Sequence, residues 1–479
     1  MDVKKDTIKG TVWSMIERFS TMGIQLLCTL AIAQYLAPSE FGLVSMMSIF
    51  LSFSMVMAEA GFGQAIIREK NVLPIDTSSI FFFNIWVALI IYGLCFCCAP
   101  LIAIFYKQPE LTQLVRVSFL AIIVHSFAIV QGALLQKSVN FSVVSKISLI
   151  SVLLSGIIGI GVAVIYKNVW ALVIQSLGFA TFQTCFYWIF CKWRPTLSFS
   201  WNAVKKYLSF SLNLLGSRMI AALADNMANL FIGRAYTSTE LGNYTVPDKL
   251  QRSIAGTISF SIHRVSYPVM ASFQDDIPSL RDYSQKVVGM AFYITAPIMI
   301  YLLIVSPQFF SLILPSQWAE SSYYFRYMCI IGAIFCFADI NMDVLLVRGK
   351  SSLVFKLEIC RKIVLVLSLF IGVIYTINVL LIILIGYNIF NTVLINYFYG
   401  KEICCSLLKQ LNNVLPIVLW ILISSIPTIY LSLIIKNDIF MLIVSFITFF
   451  VTYCIGTYQF KSQYPKLIIS VLKSNLIRK

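Results

Sequence analysis

Fourteen long apolar runs, each separated from the next by a few polar, proline or glycine residues, leave this chain few ways to fold. A hydrocarbon core about 30 Å thick needs about 20 apolar residues per helical crossing. Inside it every backbone polar group has to be satisfied within its own segment, which favours helices. The runs lie at about 11–36, 41–66, 77–106, 110–136, 141–166, 168–191, 207–235, 241–271, 284–314, 319–347, 353–375, 377–400, 412–435 and 438–458. Composition agrees: 59% of the residues are hydrophobic and 12% charged, against roughly 45–50% and about 25% in a soluble domain. The expectation is an all-α integral membrane protein of about 14 transmembrane helices, with little chain left for a soluble domain.

Lysine and arginine set the orientation, because cationic loops resist translocation. With the N-terminus in the cytoplasm, twenty-two of the 36 cations fall on inside segments and three, Lys107, Lys167 and Lys436, on outside loops. Both termini are therefore expected to be cytoplasmic, which an even number of spans also requires. The net charge of +16 spreads over loops that face anionic lipid, so no nucleic-acid partner is expected. The first run, interrupted by Glu17 and Arg18, is too long for a cleavable signal segment and is expected to stay as the first helix. Twelve cysteines lie in spans or at cytoplasmic ends, and the two histidines, His125 and His263, are remote from any cysteine cluster. Neither disulfides, a metal nor a cofactor is expected.

A weak internal repeat organises the runs. Shifting the chain by 200 positions lays IAQYLAPSEFG (32–42) on IGRAYTSTELG (232–242) and matches Arg18 with Arg218, Leu30 with Leu230, Ile32 with Ile232, Glu40 with Glu240 and Gly42 with Gly242. Six spans separate the copies, so both halves have the same orientation and form parallel repeats. In each copy Ser39 or Thr239 is expected to cap the following helix, and Gly42 or Gly242 to admit a close helix approach. The expected divisions are 1–191, an N-terminal six-helix lobe; 192–206, a cytoplasmic linker; 207–400, a second lobe; and 401–479, two further helices with a basic tail.

The first span with its Arg18, the LAPSEFG turn, the stretch EAGFGQAIIRE and the second-half opening SFSLNLLGSRMI together resemble the O-antigen and polysaccharide repeat-unit flippases. These belong to the multidrug/oligosaccharidyl-lipid/polysaccharide exporter superfamily, and the similarity points to its colanic-acid/lipopolysaccharide export branch. The resemblance implies two six-helix lobes around a V-shaped central cavity with two added C-terminal helices. It also implies movement of undecaprenyl-diphosphate-linked oligosaccharide across a bacterial inner membrane by alternating access. Membrane lipids, and the polymerase and glycosyltransferases of the same pathway, are the partners it implies.

The charged residues within the spans fit that reading. Arg18, Arg116, Lys146, Arg218, Arg234, Lys249, Arg252, Arg264, Arg326, Arg361 and Lys362 outnumber Glu17, Glu59, Asp225, Asp248, Asp339, Asp343 and Glu358. A charge facing lipid at mid-bilayer costs roughly 2.5–3.5 kcal/mol on insertion scales, so these side chains should meet water or a partner. Spacing alone pairs Asp248 with Arg252, and Glu358 with Arg361 or Lys362. Arginine holds a diphosphate bidentately and stays ionised at any physiological pH. The expected substrate-binding cations are Arg18, Arg218, Arg252, Arg116 and Arg326, and the expected ion-coupling acids Glu59 and Asp225. A cation-coupled drug exporter of the same superfamily is the alternative, and the cationic excess speaks against it. A membrane glycosyltransferase or polymerase would need a long outside loop with catalytic acids, which the chain lacks.

Overall fold

A computed structural model describes residues 3–138 and 140–459; the expected basic tail and the Asn213 side chain lie outside the described residues. Among those residues the chain is helical, without strands. In order the helices are α1 (Val3–Ala33), α2 (Pro38–Glu59), α3 (Phe62–Arg68), α4 (Pro74–Tyr106), α5 (Leu111–Ser118), α6 (Leu120–Ser126), α7 (Ile129–Lys137), α8 (Phe141–Tyr166), α9 (Trp170–Phe190) and α10 (Trp201–Ala235). There follow α11 (Ser238–Gln251), a π-helical turn (Arg252–Gly256), α12 (Thr257–Ser272), α13 (Ile277–Ile304), α14 (Ser306–Ile313), α15 (Ala319–Val347), α16 (Ser351–Gly372), α17 (Ile377–Glu402), α18 (Leu407–Ile434) and α19 (Asp438–Gln459). This is a multi-pass membrane protein. Nine helical segments among the described residues are long and apolar enough to cross a bilayer, ten when the bent run from α5 to α7 counts as one span. The other expected crossings fall on α1, α10, α11–α12 and α16, each of which carries several of the intramembrane charges.

The chain forms two compact units, Met1–Thr245 and Val246–Lys479. In the first, α8 packs against both α1 and α9. Its interface is a stripe of small residues: Ser148, Ser151, Ser155, Gly156 and Gly159 are buried along one face. A methyl group added at Gly156 would run into Cys28, and one at Gly159 into Gln175. Close backbone approach of this kind replaces the hydrophobic drive that lipid removes. In the second unit α15 packs between α13 and α17, and α18 with α19 closes on α13. Tyr453 donates to the Tyr293 carbonyl at 3.0 Å, and Tyr301 to the Leu442 carbonyl at 2.9 Å.

Turns between crossings are short. Lys107 (φ 56°) and Lys167 (φ 48°) end α4 and α8 in the left-handed conformation, so two of the three expected outside cations sit at tight helix stops. The expected continuous span at 110–136 is instead three helices, with a 43° bend before α7. Two side chains of α9 explain it: Thr184 donates to the Val124 carbonyl at 3.0 Å and Trp188 Nε1 to the Phe127 carbonyl at 2.9 Å. Carbonyls engaged from outside no longer continue the helical ladder, and the helix breaks there. Capping also differs from expectation. Thr237, not Thr239, forms the box at the start of α11, accepting from Glu240 N–H at 3.1 Å while Glu240 accepts from Thr237 N–H at 2.9 Å. The matching residue before α2 is Ala37, whose side chain caps nothing; Pro38 supplies the preset first turn in place of Ser39.

The close approach expected at the paired glycines is present and reciprocal. A methyl on Gly42 would strike the Ser238 carbonyl, and one on Gly242 the Pro38 carbonyl. The starts of α2 and α11 thus lie backbone to backbone. Segment 192–206 is pinned along the first turn of α4: Trp193 Nε1 donates to Thr77 at 3.1 Å, Thr196 N–H to Ser78 at 3.0 Å and Ser200 N–H to Ser79 at 2.9 Å.

Candidate anion site in the first unit

Glu59 and Arg218, which stand far apart in sequence, meet in the first unit. Arg218 Nη1 lies 2.8 Å from Glu59 Oε2, and both side chains are mostly buried, at 30% and 28% exposure. The backbone explains the meeting. Helix α2 stops after Glu59 because Ala60 (φ 45°) and Gly61 (φ 73°) are left-handed. Gly61 is required twice over, by that conformation and because its missing Cβ would come within 3.0 Å of the Ser211 carbonyl on α10. Helix α10 therefore crosses the α2–α3 break and delivers Arg218 two turns beyond the crossing. A carboxylate on the last residue of a helix opposes the negative end of the helix dipole. The guanidinium compensates both.

Around the pair is a polar cavity of about 230 Å³, also lined by Gln64, His125, Gln136, Gln183 and Tyr187. It is open on one side, and its walls come from α2, α3, α6, α7, α9 and α10. The α6–α7 break places His125 and Gln136 on the same cavity. An arginine with amide and imidazole neighbours offers charge and several hydrogen-bond donors to one anion.

The remaining expected site residues are not gathered here. Arg18 is an exposed residue of α1, beside Glu17, whose carboxylate accepts from Ser148 at 2.9 Å and Ser145 at 3.2 Å on α8. Arg116 stacks 4.2 Å from the Phe96 ring centroid, with its Nε buried and lacking a hydrogen-bond partner. Asp225 is exposed on α10; its neighbours Asn226 and Asn229 turn to Ser48 on α2. In the second unit Arg252 binds its own helix through Asp248 at 2.8 Å, as the i,i+4 spacing indicates. Arg326 lies over Tyr323 at 5.5 Å. Glu358 pairs with Arg361 at 2.5 Å, again as spacing indicates. The cavity's glutamines and His125 were not singled out from sequence. The one available signal was His125, one of two histidines and set in an apolar run.

Comparison with known proteins fits this architecture. Residues 31–323 match the model of a family described as "Polysaccharide biosynthesis protein". The chain belongs to that family. Among its relatives, the Escherichia coli (strain K12) lipopolysaccharide biosynthesis protein WzxC is 24% identical over 446 residues, 90% of this chain and 88% of that one. The Bacillus subtilis (strain 168) teichuronic acid biosynthesis protein TuaB is 25% identical over 356 residues, 74% of each chain. A solved structure of the lipid II flippase MurJ, in an inward closed conformation, shares the fold with a TM-score of 0.77 at 13% identity, covering 96% of this chain and all of that one. This family member thus has the all-helical membrane fold expected from its sequence.

Proposed function

We propose that this protein is a transporter, not an enzyme, that moves undecaprenyl-diphosphate-linked oligosaccharide units across a bacterial inner membrane for surface polysaccharide synthesis. Its relatives carry the names of lipopolysaccharide and teichuronic acid biosynthesis proteins, which supports a lipid-linked sugar as cargo. The observation that carries the reading to residues is Arg218 in the polar cavity, held by Glu59. A diphosphate presents more charge and more acceptor oxygens than one carboxylate, and it can take the guanidinium from Glu59 bidentately. Arg18, Arg116, Arg252 and Arg326 stand in the proposal as further cations along the path, and the parallel lobes at 1–191 and 207–400 as its moving parts. The cation bias supports cytoplasmic termini. Polymerase and glycosyltransferases are the partners such a transporter would serve.

Complementation of a strain lacking its own flippase tests this. Arg218→Ala should cut surface polysaccharide at least tenfold at parental protein level, and Arg218→Lys should restore only part, since a point charge loses the forked geometry. The double variant Glu59→Gln/Arg218→Gln separates the roles. It removes the buried charges together, so it restores export if the pair is structural and stays inactive if Arg218 binds the anion. Export by the double variant at the parental level would refute the assignment.

A further inference from the structure

A second repeated feature links the two halves, and it ends on an arginine. Glu110 opens the fourth apolar run and Glu320 stands at the start of the tenth, six runs later, as parallel repeats require. In each an arginine follows the glutamate by six positions, Arg116 in the first case and Arg326 in the second. The offset is 210 residues against 200 at the paired glycines, because the second half is ten residues longer between those points. Six positions turn a helix by about 240° and advance it by about 9 Å. Neither glutamate therefore faces its own arginine, and both guanidiniums sit below the start of a membrane-spanning segment.

The structure treats the two alike, one in each unit. In the first, Arg116 on α5 rests 4.2 Å from the Phe96 ring centroid on α4, and Tyr92, one turn earlier on α4, donates to the Arg116 carbonyl at 3.2 Å. Helix α4 thus fixes both the backbone and the head of this arginine. In the second, Arg326 on α15 lies over Tyr323 at 5.5 Å. In both, Nε is buried and lacks a hydrogen-bond partner. Among the described residues neither side chain makes a hydrogen bond or an ion pair. Each is still partly exposed, and no terminal nitrogen of either is a buried unpaired atom, so the fork is open to a ligand. Other intramembrane arginines are held by acids: Arg218 by Glu59, Arg252 by Asp248 and Arg361 by Glu358. An arginine that merely snorkelled to water would extend its stem and solvate every nitrogen; here a ring holds the head and Nε is dry.

We propose that Arg116 and Arg326 each bind one phosphate group of a membrane lipid, at the membrane face where α5 and α15 begin. A guanidinium at this depth with no counter-charge of its own calls for an anion, and lipid phosphate is the anion fixed in that layer. Two oxygens on one phosphorus match the guanidinium fork, whereas chloride offers a single point. A ring that takes the face of a guanidinium leaves its N–H edge free for oxygen. A bilayer phospholipid and the diphosphate of a carrier lipid present the same oxygens. The inference stands on the geometry of each unit taken separately and not on the transport reading.

Native mass spectrometry of the full-length protein in detergent counts bound lipid directly. The probes are phosphatidylglycerol, undecaprenyl diphosphate and a phosphate-free galactosyl diacylglycerol. Arg116→Gln and Arg326→Gln should each hold one phosphate-bearing lipid fewer than the parent at the same lipid concentration, and the double variant two fewer, with galactolipid binding unchanged. Arg116→Lys and Arg326→Lys keep the charge and lose the fork, so the apparent Kd should rise at least threefold. Where a Gln variant fails to fold, the Lys variant at that position decides, and a parental Kd there would overturn the proposal. A loss confined to phosphatidylglycerol identifies bilayer phospholipid as the occupant, and a loss confined to undecaprenyl diphosphate identifies the carrier; either supports the site. Equal counts of both phosphate lipids in parent and double variant, or an equal loss of the galactolipid, would overturn it. Failure of the parent to complement a flippase-null strain would fall on the transport reading and leave these counts as they are.

Discussion

Arg218 and Glu59 show how far single residues can be read. Both were recognisable as intramembrane charges needing a partner, Arg218 as an anion ligand and Glu59 as an ion-coupling acid. Their meeting was not recognisable, because it depends on α10 crossing the α2–α3 break at Gly61. Pairs within one helix were legible, since i,i+3 and i,i+4 spacing suffices: Asp248–Arg252 and Glu358–Arg361 both form. With Arg218 bound to Glu59, each single truncation leaves an uncompensated charge. The expected loss is about 1–3 kcal/mol, below the roughly 3–5 kcal/mol of fully buried pairs because water reaches this one. Glu59→Gln and Arg218→Gln should each lower the unfolding midpoint in detergent, and the double variant should recover most of it. A double variant as unstable as the sum of the singles would mean that the two side chains do not act as a pair.

Among the helical elements, the apolar runs marked where helices exist, and the sequence pattern failed where tertiary contacts interrupt them. The bend between α6 and α7 arises from Thr184 and Trp188 on α9, which nothing local to 110–136 announces. The glycines of the repeat were readable because a close approach leaves no other residue: Gly42 and Gly242 each face a backbone carbonyl that cannot give way. Gly42→Val and Gly242→Val should therefore destabilise by similar amounts, about 1–3 kcal/mol each, read as matching drops in thermal midpoint; tolerance of either would contradict the reciprocal contact. Segment 192–206 looks like a linker in sequence but is anchored to Thr77, Ser78 and Ser79. Replacing those three by Val, Ala and Ala should speed tryptic cleavage after Lys192 by at least severalfold, without altering membrane insertion. At the start of α13, Ser279 donates to Asp276 from its N–H at 3.2 Å and its Oγ at 2.5 Å, holding this exposed carboxyl below the usual carboxylate range. A depressed carboxyl stabilises the fold above its unfolded pKa, about 3.9, and loses that contribution as pH falls through its folded value. Asp276→Ala should lower the thermal midpoint at pH 7, and the gap should close in acid as the carboxyl is protonated in both states.

For the whole molecule, the membrane class was legible because lipid imposes run length, and the family through its resemblance at LAPSEFG, EAGFGQAIIRE and SFSLNLLGSRMI. Less legible was the number of independently apolar crossings: α1, α10, α11–α12 and α16 carry Arg18, Arg218, Arg252 and Arg361 among other charges, and those charges lower their hydropathy. The measurement that bears most directly on the function is translocation itself. Proteoliposomes containing the purified protein would receive lipid-linked oligosaccharide extracted from the native host and labelled with a fluorophore on the sugar, with an impermeant quencher added outside. The parent should render the protected half of the label accessible within minutes, whereas protein-free vesicles and the Arg218→Ala variant should leave it protected for at least ten times longer. Equal protection in parent and protein-free vesicles would contradict the transport of lipid-linked oligosaccharide proposed for this chain.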